Sequence, residues 1–165
     1  MNKRLVIDFS YLLLLAAAFG AVMVLGIIVA PVIFHMEKLT MDIIVDHYNS
    51  GVIMSEIFVR FSYFIYFLAF CVALYEAAMY KMGQRDKILF YSSSVVVVTA
   101  LLFSAVYVPK ILELQTMGRE ATTSDTFGNL HLASEVDFKL LALTLVILFI
   151  RRLMLLRLTN KIVPK

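Results

Sequence analysis

Residues 11–34 form an unbroken run of 24 amino acids without a single charge. At about 1.5 Å of rise per residue, a helix of that length measures about 36 Å, longer than the roughly 30 Å hydrocarbon core of a bilayer. Lys3 and Arg4 precede the run as they would in a signal peptide. The run exceeds a signal's apolar region, however, and nothing after it resembles a cleavage site, so it is expected to remain as a span.

The rest of the chain repeats the pattern. Of 165 residues 62% are apolar and 16% charged, with a mean hydropathy of +0.90, whereas a soluble domain runs near half apolar and a quarter charged. Further spans are expected at about 56–80, 87–109 and 135–158, the third closing on Pro109. No Pro/Gly linker or low-complexity tract divides the sequence, which predicts one membrane domain over residues 1–165: an all-α, integral membrane four-helix bundle. Cys71 is the lone cysteine, so neither an internal disulfide nor a thiolate metal site is available.

Positive charge sets the expected orientation. Ten of the fifteen Lys and Arg residues lie at the N-terminus, between the second and third spans, and at the C-terminus. The bias predicts an N-in/C-in topology with both termini cytoplasmic. Tyr11, Tyr75, Tyr80 and Tyr91 would then form an inner aromatic belt, with Tyr48 and Tyr107 near the outer interface. All three histidines, His35, His47 and His131, fall on the outer side, together with nine of the twelve acids.

The fourth span cannot keep its charges out of the bilayer. Its uncharged stretch, 140–150, has only 11 residues, about 16 Å of helix. Arg151, Arg152 and Arg157 are expected to snorkel inward on their long stems. Glu135 and Asp137 are too short for that and are expected to face protein or a hydrated crevice. His131, Glu135 and Lys139 stand at i, i+4 and i+8 on one helix face, and Glu56 and Arg60 repeat the spacing on the second helix. Charges facing lipid are costly, so the two stripes are expected to face each other. Two readings stay open: an ion-paired plug that fixes helix register, and a binding crevice using His35, Glu56, Arg60, Glu135 and Lys139.

The first helix carries small residues four apart, Ala16 with Gly20, Ala17 with Ala21 and Gly26 with Ala30. Such spacing serves close packing inside the bundle, or in a homo- or hetero-oligomer. Pro31 is expected to kink this helix and aim His35. Ser92, Ser93, Ser94, Thr99 and Ser104 are expected to bond their own preceding carbonyls. The first outer loop, 35–55, suits a short interfacial helix ended by a turn at Asn49-Ser50-Gly51. The second is expected to stay helical to about Met117 and then to pass through a polar stretch, 122–129, long enough to lid a crevice.

His35, His47 and His131 share the outer side with Met36, Met41, Met54 and Met117. Thioethers with imidazoles suit copper(I), and imidazoles with carboxylates suit zinc; His35 and His131 could also clasp a haem near the surface. No HxxxH, CxxC, GxGxxG, P-loop or Ser/His/Asp pattern occurs, so no catalytic residue is singled out and a non-enzymatic reading leads. The basic ends suit the anionic headgroups of a lipid bilayer and are not evidence for nucleic acid.

Three stretches carry a resemblance: Val29-Ala30-Pro31-Val32-Ile33-Phe34, Tyr48-Asn49-Ser50-Gly51 through Ile57-Phe58, and Phe127-Gly128-Asn129-Leu130-His131 through Ser134-Glu135-Val136-Asp137-Phe138-Lys139. Their order resembles the domain-of-unknown-function 4149 family of small bacterial inner-membrane proteins, and more distantly the transmembrane protein 205 group. That family is similar to a wider four-helix group with CopD-like copper-resistance proteins and HemJ-type protoporphyrinogen oxidases. The resemblance implies a multi-pass protein of the bacterial inner membrane. The HemJ likeness implies haem, with Lys139 at the place of a fourth-helix lysine, and the CopD likeness implies copper handling. The leading expectation is a protein that binds or helps move a small cationic or metal ligand at an acidic outer crevice. The alternatives are a subunit or assembly factor of a membrane complex, and a haem-dependent oxidase.

Overall fold

Two prolines shape the rising helices. The computed structural model describes residues 3–36 and 45–162, with side chains as far as residue 156. α1 (Lys3–Val24) passes through a π turn, Leu25–Val29, into α2 (Ala30–Phe34). α4 (Lys87–Leu102) likewise passes through a π turn, Phe103–Tyr107, into α5 (Val108–Thr116). In both cases a proline, Pro31 or Pro109, stands in the first two positions after the turn. Proline offers no N–H, and the backbone responds by shifting register: the Ala30 N–H bonds the Leu25 carbonyl and the Val108 N–H bonds the Phe103 carbonyl, five residues back. The disturbance expected at Pro31 therefore takes the form of a π turn.

The returning helices are continuous: α3 (His47–Lys81) has 35 residues and α7 (Asp125–Ile162) has 38. A short α6 (Arg119–Thr122) lies between α5 and α7. Among the described residues three stretches are long and apolar enough to cross a membrane, Lys3–Phe34, His47–Lys81 and Lys87–Thr116, the dimensions of a multi-pass membrane protein. α7 packs along α4 and α1, and α3 packs along α4. The core between them is aliphatic, with Leu15, Ile65, Leu68, Val96, Leu141 and Leu145 fully buried. Leu13, Phe70, Tyr63 and Tyr91 point outward, an apolar exterior that suits lipid contact.

Capping residues extend the helices past the expected bounds. Asp46 caps α3 by accepting from the Asn49 N–H at 2.8 Å. Asn49-Ser50-Gly51 is consequently the first turn of a helix and not the end of one. Ser124 accepts from the Phe127 N–H at 3.2 Å, so the polar stretch expected as a lid starts α7 instead. α5 ends at Thr116 as its sequence suggests. The rest of the expected interfacial helix, with Met41, falls on residues 37–44, outside those described.

Ser92, Ser93, Ser94 and Thr99 each donate to a carbonyl three or four residues back. Ser104 departs from the pattern, its buried hydroxyl having no partner among the described residues.

Candidate functional site

A crevice of about 610 Å³ opens at the end of the bundle where α2 meets the start of α3. Its floor is aromatic because the elements bring phenylalanines to one level: Phe103 lies 4.9 Å from Phe138, and Phe58 lies 5.2 Å from Phe103 and 5.6 Å from Phe138. One wall is the π turn and α2, with Gly26, Ile27, Ala30, Pro31 and Phe34. Gly26 leaves that wall thin, since a Cβ there would meet the Phe138 ring edge only at 4.0 Å. The opposite wall is α7, from His131 to Ala142.

Polar groups sit around this apolar space. His35, His47, His131, Ser134, Glu135 and Lys139 all line it. The His35 Nδ1–H donates to the Pro31 carbonyl at 3.1 Å, which leaves Nε2 as the ring's free acceptor. The His47 ring stands 5.5 Å from Phe34, and His131 stacks on Phe127 one turn before it. Glu135 pairs with Lys139 at 3.2 Å along α7. Among the described residues the rim therefore carries an ion pair and three imidazoles. Met54 is buried against the same space.

Glu56 and Arg60 do not join these residues. They pair with each other along α3 at 2.8 Å, both largely exposed, and neither lines the crevice. The two charged stripes thus satisfy themselves within their own helices. Asp137 is buried, and its Oδ2 has no partner among the described residues. The three histidines share the crevice but form no ligand cluster: among the described residues no three His, Cys, Asp or Glu side chains are grouped to hold a metal ion.

Outside the spans, Asp46 also receives the Arg119 guanidinium at 2.5 Å. The Asn49 N–H and Arg119 together hold its carboxyl below the usual carboxylate range. Arg119 lies over the Tyr48 ring, whose hydroxyl donates to the Gln115 carbonyl at 2.9 Å. These contacts tie α3 to α5 and α6 beside the crevice.

The opposite end, where the N-terminus of α1 meets the last third of α7, holds a second polar constellation. Arg152 is only 2% exposed, so it does not snorkel. Its Nε donates to Glu76 Oε1 at 3.2 Å, its Nη2 to Glu76 Oε2, and its Nη1 to Gln84 Oε1 at 2.7 Å. Gln84 is aimed there by the turn that ends α3. The Gly83 and Gln84 N–H groups bond the Tyr80 and Met79 carbonyls, and Gly83 supplies the positive φ of 94° that this closure needs.

Tyr11 donates to Glu76 at 2.9 Å and Tyr75 to Asp8 at 2.6 Å. The two rings stack at 3.8 Å, with Arg152 over Tyr75. Tyr11 and Tyr75 are accordingly core residues here and not members of an interfacial belt. Beside them Arg151 binds Asp86, the cap of α4, at 2.5 Å. That guanidinium holds the Asp86 carboxyl below its usual range. Arg157 lies beyond the described side chains.

The network escaped sequence reasoning because its partners lie 65 to 76 residues apart. The available signal was the coincidence of three acids, Asp8, Glu76 and Asp86, with two adjacent arginines at the same end of four helices.

No curated protein and no solved structure matches the chain. One family profile does match, described as a domain of unknown function (DUF4149), over residues 13–120. That match spans more than half of the 165 residues and three of the four long helical stretches, so the chain belongs to the DUF4149 family.

Proposed function

We propose that the chain is a four-span membrane protein that binds a small amphipathic ligand in the crevice between α2 and α7. Both termini lie on the cytoplasmic side in this reading, following the bias of Lys and Arg. The fourth span is α7, about 57 Å long at the usual helical rise. Three of the charges that interrupt it are matched: Lys139 by Glu135, Arg151 by Asp86 and Arg152 by Glu76.

The observation that carries the ligand reading is the crevice's chemistry, an aromatic floor under a rim of three histidines and one ion pair. Concave apolar spaces with a few convergent polar groups are where ligands bind. An apolar body fits the phenylalanine floor, and a polar end meets the free His35 Nε2 and the Glu135–Lys139 pair. With its carboxylate already matched by an ammonium, the rim favours such a molecule over a free cation or metal.

The test is mass spectrometry of protein purified in mild detergent without chelator, with elemental analysis alongside. A co-purifying amphiphile is expected, and Gly26→Leu, which fills the crevice from its thin wall, is expected to lose it. Equal retention by the variant would refute the site. Stoichiometric copper, zinc or iron would return the histidines to a metal-binding role.

A second reading, association through the first helix, rests on one observation. Ala16, Ala17 and Gly20 are exposed, and a Cβ at Gly20 would meet nothing within 4 Å. Among the described residues that small-residue face serves no close contact. Gly20→Leu is expected to convert an oligomer to monomer in gently solubilised membranes, and monomeric wild-type protein would rule the association out.

A further inference from the structure

A second cavity, of about 480 Å³, lies between α3 and α4 at the termini end of the bundle, remote from the histidine-rimmed crevice. Its sides are Ala73, Ala77, Leu89, Phe90, Val97 and Val98, and its foot is formed by Lys81, Gln84 and Asp86. From Leu89 to Val98 the groove follows α4 for about 14 Å at the helical rise, close to half of a hydrocarbon core of roughly 30 Å. It is therefore as deep as one leaflet.

The charges at its foot are unequally matched. The two carboxylates that line the groove, Glu76 and Asp86, are occupied by Arg152 and Arg151. Lys81, Arg85 and Lys87 stand exposed around the same turn, and among the described residues no carboxylate pairs with any of them. Arg85 lies 5.6 Å from the Tyr80 ring, which holds its guanidinium beside the groove. One uncompensated cation, Lys81, thus lines the foot of an apolar channel of leaflet depth, and two more, Arg85 and Lys87, flank it around the same turn.

We infer that this groove is a binding site for an anionic phospholipid, one acyl chain lying between α3 and α4 and the phosphate engaged by Lys81, Arg85 and Lys87. A neutral phospholipid would fill the channel equally well but would leave the cations unmatched. A free phosphate would match the cations but leave the channel unfilled. The site thus requires both halves of an anionic lipid.

The test is native mass spectrometry of protein held in mixed micelles with equal phosphatidylglycerol and phosphatidylcholine. Wild-type protein is expected to retain phosphatidylglycerol preferentially. K81Q/R85Q/K87Q is expected to lower that retention on the order of a hundredfold, as three charges near a headgroup should. Ala77→Phe keeps every charge but plugs the channel, and is expected to lower it as well. Thermal unfolding checks that each variant stays folded; should the triple variant fail to fold, Lys81→Gln alone is expected to show a smaller loss in the same direction. Equal retention of the two lipids would overturn the site, as would an unchanged triple variant. An unchanged Ala77→Phe would overturn it by reducing the attraction to surface charge alone. Displacement of the lipid by millimolar glycerol phosphate would overturn it in favour of a small-anion site.

Discussion

Replacing Arg152 by alanine tests whether the polar network holds the termini end of the bundle together. The substitution removes a buried guanidinium that donates to both oxygens of Glu76 and to Gln84. The Glu76 carboxylate would be left inside an apolar bundle with the Tyr11 hydroxyl as its remaining donor. Breaking a buried pair by removing one partner costs about 3–5 kcal/mol, because an uncompensated charge remains. At about 2–4 °C per kcal/mol for a chain of this size, the expected fall in Tm is roughly 6–20 °C. Removing both charges in R152A/E76A takes away the orphaned carboxylate, so the double variant is expected to lose less than the sum of Arg152→Ala and Glu76→Ala.

The chain has no tryptophan but one half-buried cysteine, Cys71, in the middle of α3. Unfolding in detergent can thus be followed by a thiol-reactive dye. The informative quantity is the coupling from the double-mutant cycle. A single variant that loses less than about 2 °C, or a double variant as unstable as the sum of its singles, would refute the claim that Glu76 and Arg152 are a coupled buried pair.

Three further outcomes follow from the same contacts. Asp86 has its carboxyl held low by Arg151, so its contribution is present above the unfolded value of about 3.9 and is lost as pH falls below it. Asp86→Asn keeps the α4 cap, and is expected to flatten the acid limb of a Tm-against-pH curve below about pH 4; an unchanged limb would contradict this. Asp46→Ala removes both the cap of α3 and the partner of Arg119, and faster amide exchange confined to the first turn of α3 is the expected readout. Phe138→Ala removes the ring shared by Phe58, Phe61 and Phe103. A loss of about 3–5 kcal/mol is expected in the same thermal assay, and a loss under 1 kcal/mol would mean the floor is not packed as described.

The four long helical stretches were legible because each contains a run too apolar for water. Their ends were not, because Asp46 and Ser124 cap helices well beyond the apolar part, and hydropathy carries no information there. The shared level of His35, His47, His131, Glu135 and Lys139 was legible from their positions in the loops and the i, i+4, i+8 spacing on α7. The facing of Glu56 and Arg60 was not. Spacing fixes which side chains share a stripe, but the rotation of α3 is set by Ile65, Leu68 and Val72 entering the core. The Arg152 network lay further out of reach, since its donors and acceptors come from three helices and a turn.

The two π turns divide the molecule mechanically. Each rising rod is jointed where a five-residue hydrogen bond precedes a proline, and the returning rods run unbroken for 35 and 38 residues. Below the joints the rods are pinned by Arg152, Glu76, Tyr11 and Tyr75. Above them α2 packs against α3 and faces α7 across the crevice. A bend at the first joint would therefore swing Pro31 and Phe34 toward or away from α7 and change the width of the histidine rim while the pinned end stays in place.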